Sequence, residues 1–146
     1  MTLKPEQLHP AVSKSLALWH EMLQQRDLAR LPSIVEANAV FRSPLAYNAY
    51  ESAQAVILVL NTVINVFDDF VYHREFASAD GLSVTLEFSA NVGDKQLKGA
   101  DFIRFNEDGK IVEFEVMVRP LSGLQALGME MGKRIGHLIP DFKAAR

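Results

Sequence analysis

Between residues 70 and 119 the chain alternates polar and apolar side chains, and three short turn signals interrupt the alternation. "DFVYHREFAS" and "LSVTLEFSANV" flank Asp80-Gly81, "GDKQ" leads into "LKGADFIRF", and "NEDG" leads into "KIVEFEVMVR". A period of two sends successive side chains to opposite faces of a strand, and Asp-Gly supplies the positive φ that a tight hairpin needs. The expectation is an antiparallel meander. In its last strand Val112, Phe114, Val116 and Val118 alternate with Glu113, Glu115, Met117 and Arg119, so one face is apolar and the other mixed. Helices should cover the apolar face and leave the mixed face to solvent or a partner.

The segments on either side supply those helices. After Pro10, the apolar residues Val12, Leu16, Trp19, Met22 and Leu23 recur at helical spacing and predict an amphipathic helix of about four turns. A shorter helix is expected over residues 28–37, kinked at Pro32, followed by a short strand in "AVFRSPL" that Pro44 stops. A third helix carries Ala53, Val56, Ile57, Leu60, Ile64 and Phe67 on one face, and "LSGLQALGMEMGKRIGHLI" follows Pro120 as a fourth. Three N-terminal helices, a curved antiparallel sheet and a C-terminal helix make an α+β chain. With 146 residues, no repeat and no linker, residues 1–146 read as one domain.

Several function classes are excluded early. The net charge is −3 with no basic cluster, so nucleic acid is not an expected partner. There is no cysteine, which removes disulfides, thiolate metal sites and cysteine nucleophiles. The N-terminus lacks the pattern of a secretory signal, and the apolar run "AVILVLNTVINVF" is broken by Asn61 and Asn65 and too short to span a bilayer. A soluble, cytoplasmic protein without membrane contact is expected. No spaced histidine pair, phosphate-cradling glycine loop or Ser–His–Asp pattern is present, so neither metal nor cofactor is expected. His9, His20 and His137 read as surface or helix-end groups.

The runs "RDLARLPSIVEANAVFRSP" and "GADFIRFNEDGKIVEFEVMVRPLSGLQAL" resemble the SnoaL-like families of the nuclear-transport-factor-two-like superfamily. The resemblance covers roughly residues 10 to 138 and implies a cone of helices wrapped on a bent sheet. Its members include isomerases, dehydratases, cyclases, epoxide hydrolases and non-catalytic binders. One branch, the ketosteroid isomerases, lines up on Asp27-Leu28. Its polarising tyrosine then falls on Trp19, its catalytic aspartate on Ser43 and its second aspartate on Asp101. The resemblance thus keeps one of three groups and replaces the general base.

The candidate catalytic residues are Asp101, Glu87 and His73. If Asp101 follows Ile103 and Phe105 in its strand it points inward, where desolvation would raise its pKa; otherwise it is a strand-end aspartate accepting backbone N–H groups. Glu87 faces either the cone interior, as the resemblance favours, or solvent. His73 pairs with Glu87 or with Phe88 according to the length of the Asp80-Gly81 loop, because a one-residue slip flips a strand. Trp19, Phe41, Ser43, Tyr47, Ile103, Phe105, Phe114 and Val116 are the expected ligand-binding residues, with Tyr47 and Tyr50 in a loop that caps the cone in this fold. The implied partner is a small hydrophobic organic molecule. Cofactor-independent acid–base chemistry of isomerase, cyclase or hydrolase type is one reading; a non-catalytic binding or dimerisation module is the other. The mixed outer face of the sheet, with Phe102 and Met117 among charges of both signs, is expected to form a homodimer.

Overall fold

The structure, a computed structural model, describes residues 3–138. Helix α1 (Pro10–Gln25) starts where His9 Nδ1 accepts the Ala11 N–H at 3.2 Å, and it ends on Arg26 in the left-handed region. Strand β1 (Val35–Arg42) precedes helix α2 (Ala53–Val63), which Ser52 caps through Oγ at 3.0 Å from Ala55 N. Strands β2 (Asp68–Ala77), β3 (Ser83–Val92), β4 (Lys95–Phe105) and β5 (Ile111–Arg119) follow, and helix α3 (Leu121–Ile135) closes the described chain. No helix among the described residues is long and apolar enough to cross a membrane. The last residue expected in the C-terminal helix, Ile139, lies outside the described residues.

The expected meander is present: β2, β3, β4 and β5 pair in sequence order, all antiparallel. Two expectations need correction. The sheet is mixed, because β1 lies beside β5 and runs parallel to it, with Phe41 opposite Phe114. Moreover, residues 28–37 are not a helix. Only Leu31–Ile34 turn, as a single 3-10 turn with Pro32 in its first positions, and Val35, Glu36 and Ala37 already belong to β1. The β-branched Val35 gains a sheet partner at Ile111 there, which one more helical turn could not provide.

The core lies between the concave face of the sheet and the helices. Val84, Leu86, Phe88, Ala90 and Val92 of β3 and Ile103 and Phe105 of β4 are all buried against Val12, Leu16, Trp19 and Met22 of α1 and Val56 and Leu60 of α2. One end is sealed by the β4–β5 turn, where Ser15 Oγ donates to Gly109 O at 2.5 Å. Gly109 has φ +76, and a Cβ there would meet Ala11 O at 2.5 Å, so glycine is what lets the turn seat on α1. This is the α+β cone that the resemblance implied, with α3 laid across the other end.

Candidate functional site

At the end of the cone away from Gly109 the core does not fill the space. A cavity of about 610 Å³ opens there, walled by Trp19, Phe41, Tyr50, Phe67, Phe70, Phe88, Phe114 and Val116, by Leu60 and Val63 of α2, and by Leu127 and Met131 of α3. Gly99 stands opposite Phe88, where a Cβ would lie 2.6 Å from the ring; its absence allows Phe88 to lie flat as part of the floor. Few polar groups reach this cavity: His20, Gln24, Arg26, Ser43, Asp69, Tyr72 and Asp101.

Asp101 sits in mid-strand between Leu86 and Val116, 6% exposed. Alternation turns it inward with Ile103 and Phe105, the first of the two placements the pattern allowed. Tyr72 Oη donates to Asp101 Oδ2 at 2.6 Å and accepts from Trp19 Nε1 at 3.0 Å. Burial raises the Asp101 pKa to about 7, although the Tyr72 hydrogen bond pulls it back. The Tyr72 hydroxyl is itself held well above its ordinary value, first by burial and then by the Asp101 charge, so it remains a donor. Among the described residues Oδ1 of Asp101 accepts no hydrogen bond and no fully buried side-chain polar atom is left unsatisfied, so Oδ1 opens onto the cavity. A carboxyl that is half protonated near neutral pH, with one oxygen pinned and the other free, can give or take a proton there.

Beside this chain stands a second buried acid. Glu75, 6% exposed, accepts the Leu3 N–H at 3.1 Å, and its Oε2 lies 3.5 Å from Nε2 of His20. The His20 ring meets the Tyr72 ring edge-on at 5.5 Å. Burial lowers the His20 pKa and the Glu75 charge opposes that, which leaves a neutral imidazole at neutral pH.

Trp19, Phe41, Ser43, Phe114, Val116 and Asp101 therefore line the cavity as expected. Five others do not. Ile103 and Phe105 face inward but lie in the packed core towards the closed end. Tyr47 is 98% exposed, and its neighbour Tyr50 takes the cavity place, bridged to Phe41 and buried. Glu87 and His73 stand on the outer face of the sheet. Glu87 is bound there by Arg74 at 2.6 Å and Lys98 at 3.4 Å, which hold its pKa down at about 2, and His73 contacts Ser89 at 2.7 Å. The physical reason is a bulge. Tyr72 pairs with Phe88 and Glu75 with Leu86, so both His73 and Arg74 face outward opposite Glu87. The extra residue is also what brings Tyr72 and Glu75 to the same inner face. The spacing of Leu16, His20 and Leu23 on α1 was a legible sign that His20 shares the apolar side, against its reading as a surface group.

Among the described residues no group of three or more His, Asp and Glu side chains is placed to hold a metal.

Comparison with known proteins bears on the fold and the family. No match is found among curated proteins. A steroid delta-isomerase structure from Pseudomonas aeruginosa is 56% identical over 91% of this chain and 97% of its own, with a TM-score of 0.87. A protein with a cystatin-like fold from Silicibacter pomeroyi DSS-3 is 27% identical over 97% of this chain and 100% of its own, at a TM-score of 0.84. A putative SnoaL-like polyketide cyclase from Jannaschia sp. CCS1 shares the fold at 10% identity, over 87% of this chain and 96% of its own, with a TM-score of 0.66. The SnoaL-like domain model matches residues 16–114, a span that runs from α1 through Asp101 to Phe114, and the chain belongs to the SnoaL-like domain family.

Proposed function

We propose that this protein is a cofactor-independent acid–base enzyme that moves a proton on a small apolar carbonyl compound held in the cone. The observation that carries the reading is Asp101: a carboxyl in an apolar cavity of about 610 Å³, one oxygen fixed by Tyr72 and the other open. A carbonyl oxygen set against Asp101 receives a hydrogen bond that strengthens as negative charge develops on it, which is the condition for lowering a barrier rather than only binding. Trp19 and Tyr72 hold the acid in place and exclude water. A proton shift within one molecule consumes no oxidant or reductant, so the chemistry requires none. The 56% identity to a steroid delta-isomerase supports a fused-ring ketone as the substrate class.

A β,γ-unsaturated ketosteroid is the probe, and the ultraviolet absorption of the conjugated enone is the signal. The wild type should convert it, and Asp101→Leu should lose about 10²–10³-fold in kcat. Failure of the wild type to convert or bind any such ketone would remove the reading. We further propose that the outer face of the sheet pairs two copies of the chain, Phe102 and Met117 meeting their counterparts across a two-fold axis.

A further inference from the structure

The isomerisation of such a ketone needs a base at carbon as well as an acid at oxygen, and Ser43, where the ketosteroid isomerases carry theirs, cannot accept a proton at neutral pH. We infer that His20, held by Glu75, is the base that performs this step. The assignment rests on the acid–base reading of the cavity.

Three observations carry it. First, the His20 ring is part of the cavity wall and contacts the residue that also holds Asp101: the Tyr72 ring meets His20 at 5.5 Å and its hydroxyl meets Asp101 at 2.6 Å. An acid and a base thus contact one aromatic residue of the cavity wall. Second, Nε2 lies 3.5 Å from the buried Glu75 carboxylate, while Nδ1 makes no hydrogen bond among the described residues, which leaves it available to accept a proton. A carboxylate beside one nitrogen stabilises the imidazolium when the other nitrogen takes a proton. Third, Glu75 is costly where it stands. A buried acid whose only partners among the described residues are the Leu3 N–H and His20 is not explained by packing. The titratable groups that meet His20 are Glu75 and Tyr72, both from β2. The rival base, Asp69, is exposed at the cavity rim with Oδ2 held by Asn91 at 3.0 Å.

In the step, Nδ1 of His20 removes the proton from the carbon between the ketone and the double bond. The C–H electron pair becomes the dienolate, whose oxygen is hydrogen-bonded by Asp101. The imidazolium then returns the same proton to the far carbon, which restores neutral His20 and leaves the double bond conjugated. No atom is gained or lost. Glu75 never touches the substrate and is a positioning residue.

The test uses the full chain and the β,γ-unsaturated ketosteroid. His20→Gln should lower kcat by about 10²–10⁴-fold with KM changed by less than about threefold, and added imidazole should restore turnover to His20→Ala in proportion to its free-base form. Glu75→Gln keeps the Leu3 hydrogen bond and removes the charge that raises the His20 pKa. The acid limb of its kcat/KM profile should therefore move to lower pH, a change that a purely structural Glu75 would not produce. Wild-type kcat in both His20 variants, or loss confined to Asp69→Asn, overturns the assignment and leaves the role of Asp101 standing. A wild type that neither converts the ketone nor exchanges its α-proton in D₂O fails the underlying reading instead. If His20→Ala does not fold, His20→Gln and the pH limb of Glu75→Gln decide the matter.

Discussion

Asp101 makes folding itself sensitive to pH. Its folded pKa of about 7 stands above the ordinary carboxylate value of 3.8, so the folded chain binds more protons than the unfolded chain between those limits. Its contribution is therefore full below about pH 4 and is lost as pH rises to about 7, with a total on the order of 4 kcal/mol. The stability of wild type relative to Asp101→Asn should fall across that window and be flat above it; urea unfolding at several pH values measures this. Taking the difference between the two chains cancels the opposite trend of His20, whose lowered pKa favours the folded state as pH rises. Tyr72→Phe removes the one hydrogen bond that pulls the Asp101 pKa down. Its pKa should then rise beyond about 7, read from the carboxyl ¹³C shift, and the unpartnered Trp19 N–H should cost about 1 kcal/mol.

At the scale of elements, the site depends on two departures from regular structure. The bulge in β2 turns Tyr72 and Glu75 inward together, and the β4–β5 turn locks the cone shut at Gly109. Gly109→Ala places a Cβ against Ala11 O at a positive φ, where neither strand nor helix can give way cheaply. It should destabilise the fold by about 1–3 kcal/mol, measured as a lower urea midpoint at unchanged slope. The cavity lies at the opposite end, so the ligand contacts of the surviving folded protein should be unaltered.

The whole molecule presents one side of its sheet to solvent. Phe102, Met117 and Val71 are 36%, 54% and 51% exposed there, bordered by the Arg42–Glu113 and Arg74–Glu87 ion pairs. A patch carrying apolar residues and both charges can meet its own copy. Sedimentation equilibrium at micromolar concentration should give a dimer for the wild type and a monomer for Phe102→Lys/Met117→Lys. An unchanged mass in the double variant would move the interface elsewhere.

Much of this was legible in the residues, because period and turn chemistry are local. Alternation along "ADFIRF" groups Asp101 with Ile103 and Phe105 as long as the strand runs unbroken through it, and the Asp-Gly and "NEDG" turns order the meander. Helical spacing likewise marks α1 and α2. Tertiary structure decided the rest. Whether His73 or Tyr72 faces the cone depends on the bulge between Tyr72 and Glu75, since the register next to the hairpin is the one a two-residue loop gives, and that bulge is not written in the alternation. Val35 became strand rather than helix because β5 offered it a partner some seventy-six positions away, at Ile111. Ile103 and Phe105 share the face of Asp101 yet miss the cavity, since the reach of α1 and the seat of the Gly109 turn determine where packing stops and empty space begins. A sequence period gives the face of a strand; only the elements that close over that face determine which part of it meets a ligand.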